Sequence, residues 1–319
     1  MSDGLTFKIL QMPDLHYSGE DTTTCYGPPP NIDCKESYMD VMMQRIVDDE
    51  KPDFVVFSGD QIETLARLQT PSHARQAVDH YSRVVIKNKL PWAMIFGNHD
   101  EPYVPSAALS TSKVSLMAYI QTLPYSLAQF GPKDIGGVGN YHLNIQSPQG
   151  KDILRTYYLD TGKQAQMTKG QLDYMKSLAT QYSNQSVPAL MFFHIPIPEY
   201  NEFVPGTGQG VKGEKVSDGA NHDLWNAIVA MGDVKATFCG HDHYNDFCFS
   251  KQNVSLCYGG SSGYGWAYGS SDTANKPRTA RVIEWTKTAE KETIDTWLYY
   301  HNQVNKRDKW NILTRHGTN

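Results

Sequence analysis

Short runs of Val, Ile, Phe and Met alternate with longer stretches whose apolar residues recur every three or four positions. The runs predict strands at Phe7–Gln11, Phe54–Ser58, Trp92–Phe96, Tyr141–Ile145, Leu154–Asp160, Ala189–Phe193 and Ala236–Cys239, then at Asp246–Phe249, Ser255–Tyr258, Ala280–Glu284 and Thr293–Tyr299. The helical periods predict helices over Lys35–Glu50, Ser72–Lys89, Ser106–Thr122, Lys169–Tyr182 and Ser217–Met231. One helix start is sharply marked. Thr168 stands three residues before Gln171, the spacing of a capping box, and Leu172, Met175 and Leu178 follow at helical period. Strands and helices alternate at first and strands dominate later. That order predicts an α/β (α+β) layered sandwich with two sheets, not one doubly wound sheet. There is no repeat, linker or low-complexity block, so residues 1–319 read as a single domain.

Composition narrows the picture little further. The 319 residues carry 29 Lys+Arg and 34 Asp+Glu, a net charge of −5, with 39% hydrophobic residues. That excludes general disorder, and the mild acidity argues against a nucleic-acid scaffold. No apolar run approaches the ~20 residues of a bilayer span. The opening residues show neither the charged nor the apolar region of a signal peptide. Five cysteines are present. Cys25 and Cys34 flank a proline-rich loop, and Cys248 and Cys257 flank an expected hairpin. Two local bridges would leave Cys239 as a buried thiol, and five reduced cysteines in a cytosolic protein is the other reading.

The chemistry is concentrated just beyond the strands, where α/β folds place their sites. Asp14-Leu15-His16 follows the first run, and Gly59-Asp60-Gln61-Ile62-Glu63 the second. Gly97-Asn98-His99-Asp100 follows the third, His194 follows Met191-Phe192-Phe193, and Gly240-His241-Asp242-His243 follows Ala236–Cys239. Each alone fits a bland role: a surface Asp/His pair, a helix N-cap, a polar turn, a satisfied core histidine. All five share one grammar, an apolar strand and then a metal-ligand type. Together they supply Asp14, Asp60, Asn98, His16, His194, His241 and His243, enough for two metal sites sharing Asp60. His99 beside Asp100 has the pattern of a general acid oriented by a carboxylate.

The ordered set Asp-x-His, Gly-Asp-x-x-Glu, Gly-Asn-His-Asp, His, Gly-His-x-His resembles the calcineurin-like metallophosphoesterases. It spans Phe7 to about Trp285. Within them the chain is similar to the single-domain, purple-acid-phosphatase-like proteins of plants and fungi, through Phe7–Gln11, Gly240–Cys248, Leu256–Gly260 and Gly263–Gly265. The resemblance implies a four-layer sandwich, two mixed β-sheets flanked by helices, with a dinuclear metal site at the strand ends. It implies one cation on Asp14, His16, Asp60 and His243, and a second on Asp60, Asn98, His194 and His241. Two divalent ions, Fe, Zn or Mn, are expected. The implied reaction is hydrolysis of a phosphoric ester, a monoester first and a diester of a nucleotide or lipid head group as the alternative. A metal-bridging hydroxide would attack in line, and His99 would protonate the leaving group. A non-catalytic interaction module on the same fold is the remote alternative. Where the purple enzymes have a metal-binding Tyr this chain has Glu63, either an acceptor for a ligand histidine or a solvated loop carboxylate. The loop Gly259–Gly269 carries Tyr264, Trp266 and Tyr268, either stacking residues for a leaving group or surface aromatics, and Asn201–Gly213 reads as another rim loop. The expected partner is a small phosphorylated substrate, with no nucleic acid and no membrane span. The expected compartment is the secretory pathway, with the cytoplasm as alternative.

Overall fold

Parallel strands buried on both faces read as unbroken apolar runs, and the inner strands here do so. The computed structural model describes residues 4–22, 35–63, 71–101, 112–162, 166–219, 223–263, 278–301 and 308–317. The first sheet has the order β12-β11-β10-β1-β2-β3. Its strands are β1 (Leu5–Met12), β2 (Phe54–Ser58), β3 (Trp92–Ile95), β10 (Thr279–Lys287), β11 (Lys291–Tyr300) and β12 (Trp310–His316). β1, β2 and β3 run parallel, and β10, β11 and β12 add antiparallel. The second sheet has the order β4-β5-β6-β7-β9-β8. It comprises β4 (Tyr141–Gln146), β5 (Asp152–Leu159), β6 (Ala189–Phe193), β7 (Val234–Cys239), β8 (Cys248–Lys251) and β9 (Val254–Tyr258). There β5, β6, β7 and β9 are parallel, with β4 and β8 antiparallel at the edges.

Alternation along a strand divides the core. Leu190 and Phe192 of β6 face a cluster shared with Ile9, Val55 and Ile95 of the first sheet. Ala189, Met191 and Phe193 face the other way, against Met175 and Leu178 of α4 (Lys169–Tyr182) and Leu224 and Ile228 of α5 (Leu224–Met231). Met39, Met43 and Ile46 of α1 (Tyr38–Glu50), Ala77 and Tyr81 of α2 (Pro71–Lys87), and Leu116 of α3 (Lys113–Ile120) join the first cluster. The result is two mixed sheets flanked by helices, as expected.

The capping box at α4 is formed: the Thr168 side chain accepts from Gln171 N, and Gln171 Oε1 accepts from Thr168 N at 2.9 Å. Thr168→Ala is expected to cost about 1 kcal/mol, read as a lower denaturant midpoint at unchanged slope. Other boundaries moved. The helix expected over Ser217–Met231 begins at Leu224; Ser217 N donates to Asp242 Oδ2 at 3.0 Å, and residues 220–222 of that expectation lie outside those described. The helix expected over Ser106–Thr122 begins after its cap Ser112, and residues 102–111 of that expectation lie outside those described. β12 and the 3-10 turn Pro198–Glu202 were not foreseen. β12 is an edge strand whose Asn311, Arg315 and His316 break the apolar pattern. Cys248 and Cys257 are direct cross-strand partners with Cα atoms 4.2 Å apart, and they form a disulfide. The two-residue turn between them, Gln252-Asn253, has φ of 48° and 64°, the hairpin geometry that asparagine tolerates. Cys239 is a buried thiol, whereas Cys25 and Cys34 lie outside the described residues.

Candidate metal centre

The five motifs emerge from the C-terminal ends of β1, β2, β3, β6 and β7. Backbone bonds lock neighbouring ends together within each sheet. Asp14 N donates to Gly59 O at 3.0 Å, His16 N to Asp60 O at 2.9 Å, and Gly240 N to His194 O at 3.1 Å. Two glycines allow the approach. A Cβ on Gly59 would lie 2.3 Å from His194 Nδ1, and one on Gly97 would lie 2.1 Å from Asp60 Oδ1. Asp14, His16, Asp60 and His241 hold φ between 52° and 75°. This left-handed conformation is costly for side-chain-bearing residues and clusters at functional sites. Here it curls the chain directly after each strand so that the side chains converge.

The donor atoms gather within a few ångströms. Asp14, His16 and His243 present one group of ligand atoms within 4.8 Å of one another, and Asp60, His194 and His241 present another. His16 Nε2 and His243 Nε2 are 3.2 Å apart, and His243 Nε2 is 3.4 Å from Asp14 Oδ1. Asp60 Oδ2 lies 3.0 Å from His194 Nε2 in one group and 3.9 Å from His16 Nε2 in the other. The rings of His194 and His241 meet edge to face at 5.3 Å. Asn98 precedes His99, whose backbone N donates to Asp60 Oδ1 at 2.7 Å. These residues fit divalent cations. Asn98 Oδ1 is a buried polar atom without a hydrogen-bond partner, and such atoms are rare unless something else satisfies them. Neutral imidazole, carboxylate and amide oxygen form a donor set that suits Zn, Fe or Mn. Two ligand histidines are oriented from behind, as metal-binding histidines usually are. His194 Nδ1 donates to Ser58 O at 3.0 Å, and His16 Nδ1 to Glu63 Oε2 at 3.1 Å, which directs each Nε2 inward.

Burial and neighbouring charges set the protonation states. Burial pushes His243 down to about 3, and burial together with His194 pushes His241 down to about 4, so both rings are neutral and ready to ligate. Burial also opposes charge on His194 and His99. The Asp60 carboxylate overcomes it and raises each to about 9, helped at His194 by the contact with Asp60 itself and at His99 by the bond to Glu63. Burial raises Asp14 to about 6, whereas Asp60, despite burial, is held well below the usual carboxylate range by His194 and His99. A cation on His194 must therefore displace a proton. Metal affinity is expected to rise about tenfold per pH unit from neutrality and to level off near pH 9. Calorimetric titration in buffers of different ionisation enthalpy reads the released proton directly.

One expectation changes here, and one open alternative is resolved. Asp100 does not hold His99. Its buried carboxylate accepts from three backbone amides, Gly97 N at 2.6 Å, Asp60 N at 2.9 Å and Ile62 N at 2.9 Å, and so staples the second motif to the third. The carboxylate against His99 is Glu63: His99 Nδ1 lies 2.9 Å from Oε2 and 3.0 Å from Oε1. Glu63 is fully buried, and its bonds to His16 and His99 overcome burial and lower it to about 2. It is thus the acceptor for a ligand histidine and for the expected proton donor, and not a solvated loop carboxylate. Asp242 went unremarked in the sequence. Its Oδ2 accepts from Tyr258 Oη at 2.6 Å and from Ser217 N at 3.0 Å, fixing the turn between His241 and His243. The rim segment after Asn201 runs beside the same turn, with Gln209 bridged to Cys248 and Lys212 to Asn245. Tyr264, Trp266 and Tyr268 lie outside the described residues.

The family model described as calcineurin-like phosphoesterase matches residues 7–245. An Arabidopsis thaliana protein named "Probable inactive purple acid phosphatase 14" is 32% identical over 91% of this chain and 80% of its own length. The phosphatase DCR2 of Saccharomyces cerevisiae is 32% identical over 80% of this chain and 47% of its own. Among solved structures, a dimetal phosphatase from Danio rerio covers 99% of both chains with a TM-score of 0.58 at 11% identity, a likeness of fold.

Proposed function

Because the chain belongs to the calcineurin-like phosphoesterase family, we propose that it is a metal-dependent phosphoric ester hydrolase acting on monoesters, with His99 as proton donor to the leaving group. Asp14, His16 and His243 would hold one cation, Asn98, His194 and His241 the other, with Asp60 between them. When bound, two divalent ions supply positive charge to the phosphoryl oxygens and acidify a water for attack. The rest falls to the chain's own groups. His99 is anchored to the centre by its backbone bond to Asp60, and its side chain is 20% exposed while Asp14, His16, Asp60 and His194 are buried. It therefore stands at the mouth, where a leaving alkoxide departs. In the metal-free protein it carries its proton at neutral pH, and Glu63 steadies the imidazolium from behind.

The observation that carries this reading is the pairing of a protonated, rim-placed His99 with a converged set of candidate metal ligands. Monoester preference draws its support from the relatives, whose names call them phosphatases. The test is hydrolysis of p-nitrophenyl phosphate beside its bis-ester by metal-loaded protein. Faster turnover of the monoester is expected. A preference for the bis-ester would make the enzyme a diesterase, and cleavage of neither would extend the word "inactive" in the plant relatives' names to this chain. The Cys248–Cys257 bridge supports residence in an oxidising compartment.

A further inference from the structure

His241 and His243 leave the same strand end two residues apart, yet different parts of the chain hold them. His241 is tied to the first motif: its N donates to both carboxylate oxygens of Asp14 at 3.2 Å, and the preceding Gly240 N donates to His194 O at 3.1 Å. His243 lies beyond, at a corner. Asn245 N donates to Asp242 O at 3.1 Å, which closes a four-residue turn with His243 and Tyr244 at its two central positions. That bond uses only the end residues of the turn, so the amides at its centre need acceptors from elsewhere.

The acceptor at Tyr244 is a side chain from the rim segment. Glu214 Oε1 accepts from Tyr244 N at 2.7 Å, and Glu214 N donates to Asn245 Oδ1 at 3.1 Å. On the other side of His243, Ser217 N donates to Asp242 Oδ2 at 3.0 Å. The same segment follows the chain away from the centre and into β8. Asp246 N donates to Val211 O at 3.1 Å, Val211 N to Asp246 Oδ1 at 2.6 Å, and Gln209 and Cys248 exchange both backbone bonds at 2.8 Å. The fit is close: Gly210 holds φ of 84°, and a Cβ there would lie 2.7 Å from Asp246 O. Residues 209–217 thus form a strap along residues 242–248, and its one carboxylate bond to the turn falls on the residue after His243.

We propose that Glu214 is a positioning residue for metal binding: by holding the Tyr244 amide it fixes the turn that aims His243 at Asp14 and His16. The assignment rests on the metal-centre reading above and adds an asymmetry between the two cations. His243 Nε2 lies 3.4 Å from Asp14 Oδ1 and 3.2 Å from His16 Nε2, so a turn that slips withdraws one donor from that group. Asp60, His194 and His241 form the other group, where His241 is tied to Asp14 and His194 to Ser58, and the strap does not reach those ties. A carboxylate that accepts a backbone N–H makes a charge-assisted bond, stronger than a neutral one, which suits a turn lying outside both sheets.

The test is calorimetric titration of Zn²⁺ into the metal-free full chain as wild type, Glu214→Ala and Glu214→Gln, repeated in a His243→Ala background. Glu214→Ala is expected to weaken one of the two cations about 10–100-fold and to leave the other unchanged, the usual worth of a group that orients a ligand. Glu214→Gln, whose amide oxygen still accepts from Tyr244 N, is expected to bind both as wild type does. With His243 already removed, Glu214→Ala is expected to cost no more than about twofold further. Two cations bound as tightly as in wild type in Glu214→Ala overturn the proposal. So do equal losses at both sites, a loss in Glu214→Gln as large as in Glu214→Ala, or an undiminished loss in the His243→Ala background. Should Glu214→Ala not fold, Glu214→Asp, one methylene short of the amide, takes its place, and two tightly bound cations in it overturn the proposal alone. A wild type that binds no cation sinks the metal-centre reading and the proposal with it, whereas one-site loss in a chain that cleaves neither ester upholds the proposal and ends the hydrolase reading.

Discussion

Asp60→Asn is expected to leave a folded protein that binds fewer than two metals per chain and hydrolyses phosphate esters at least about 10³-fold more slowly. Replacing a group that merely orients a ligand already costs ~10–100-fold, and Asp60 stands nearer the chemistry than that. The substitution is isosteric, so packing in this buried spot is preserved while charge and lone pairs are not. Oδ2 lies 3.0 Å from His194 Nε2 and 3.9 Å from His16 Nε2, so one oxygen addresses both groups of ligands. Oδ1 accepts the His99 amide at 2.7 Å. An asparagine must turn its NH₂ toward either the His99 N–H or the ligand imidazoles, and neither orientation serves both sides. The charge matters as much. Asp60 is the largest influence raising His99 and His194, so both are expected to titrate lower in the variant, visible in their imidazole proton resonances. Elemental analysis showing two metals still bound would remove Asp60 from its place between them.

How far the sequence carries depends on which interactions are local. The five strand-then-ligand motifs are legible because a sheet delivers the ends of its parallel strands to one edge, and because Gly59 and Gly97 announce a close approach. The left-handed backbone of Asp14, His16, Asp60 and His241 is not legible, since neither Asp nor His demands it. It is imposed by bonds such as Asp14 N to Gly59 O between chain segments far apart in sequence. The reading of Asp100 failed for a related reason. Adjacency in sequence suggested that it holds His99, but neighbouring side chains leave the backbone in different directions. Asp100 turned to the amides of its own and the preceding motif, while Glu63 reached His99 through space. β12 was lost because an edge strand is free to carry polar residues on its exposed face.

His99→Ala separates proton donation from metal binding more cleanly than any other single change. The side chain makes its bonds to Glu63, whereas the bond that ties residue 99 to Asp60 comes from the backbone and survives in alanine. Both metals should therefore remain. Turnover of alkyl phosphates should fall by ~10²–10⁴-fold, the usual worth of a positioned general acid. Esters whose leaving group departs readily as an anion, such as p-nitrophenyl phosphate, should lose much less, because they need no proton. The pH profile supplies a second reading. In the metal-free protein Asp60 and Glu63 overcome burial and hold the His99 proton until about pH 9. Cations on Asp60 offset its charge and lower that value, so wild-type turnover of alkyl phosphates should decline on an alkaline limb below pH 9, and the decline should vanish in the variant. Equal losses on both ester classes, with the alkaline limb intact, would show that some other group delivers the proton.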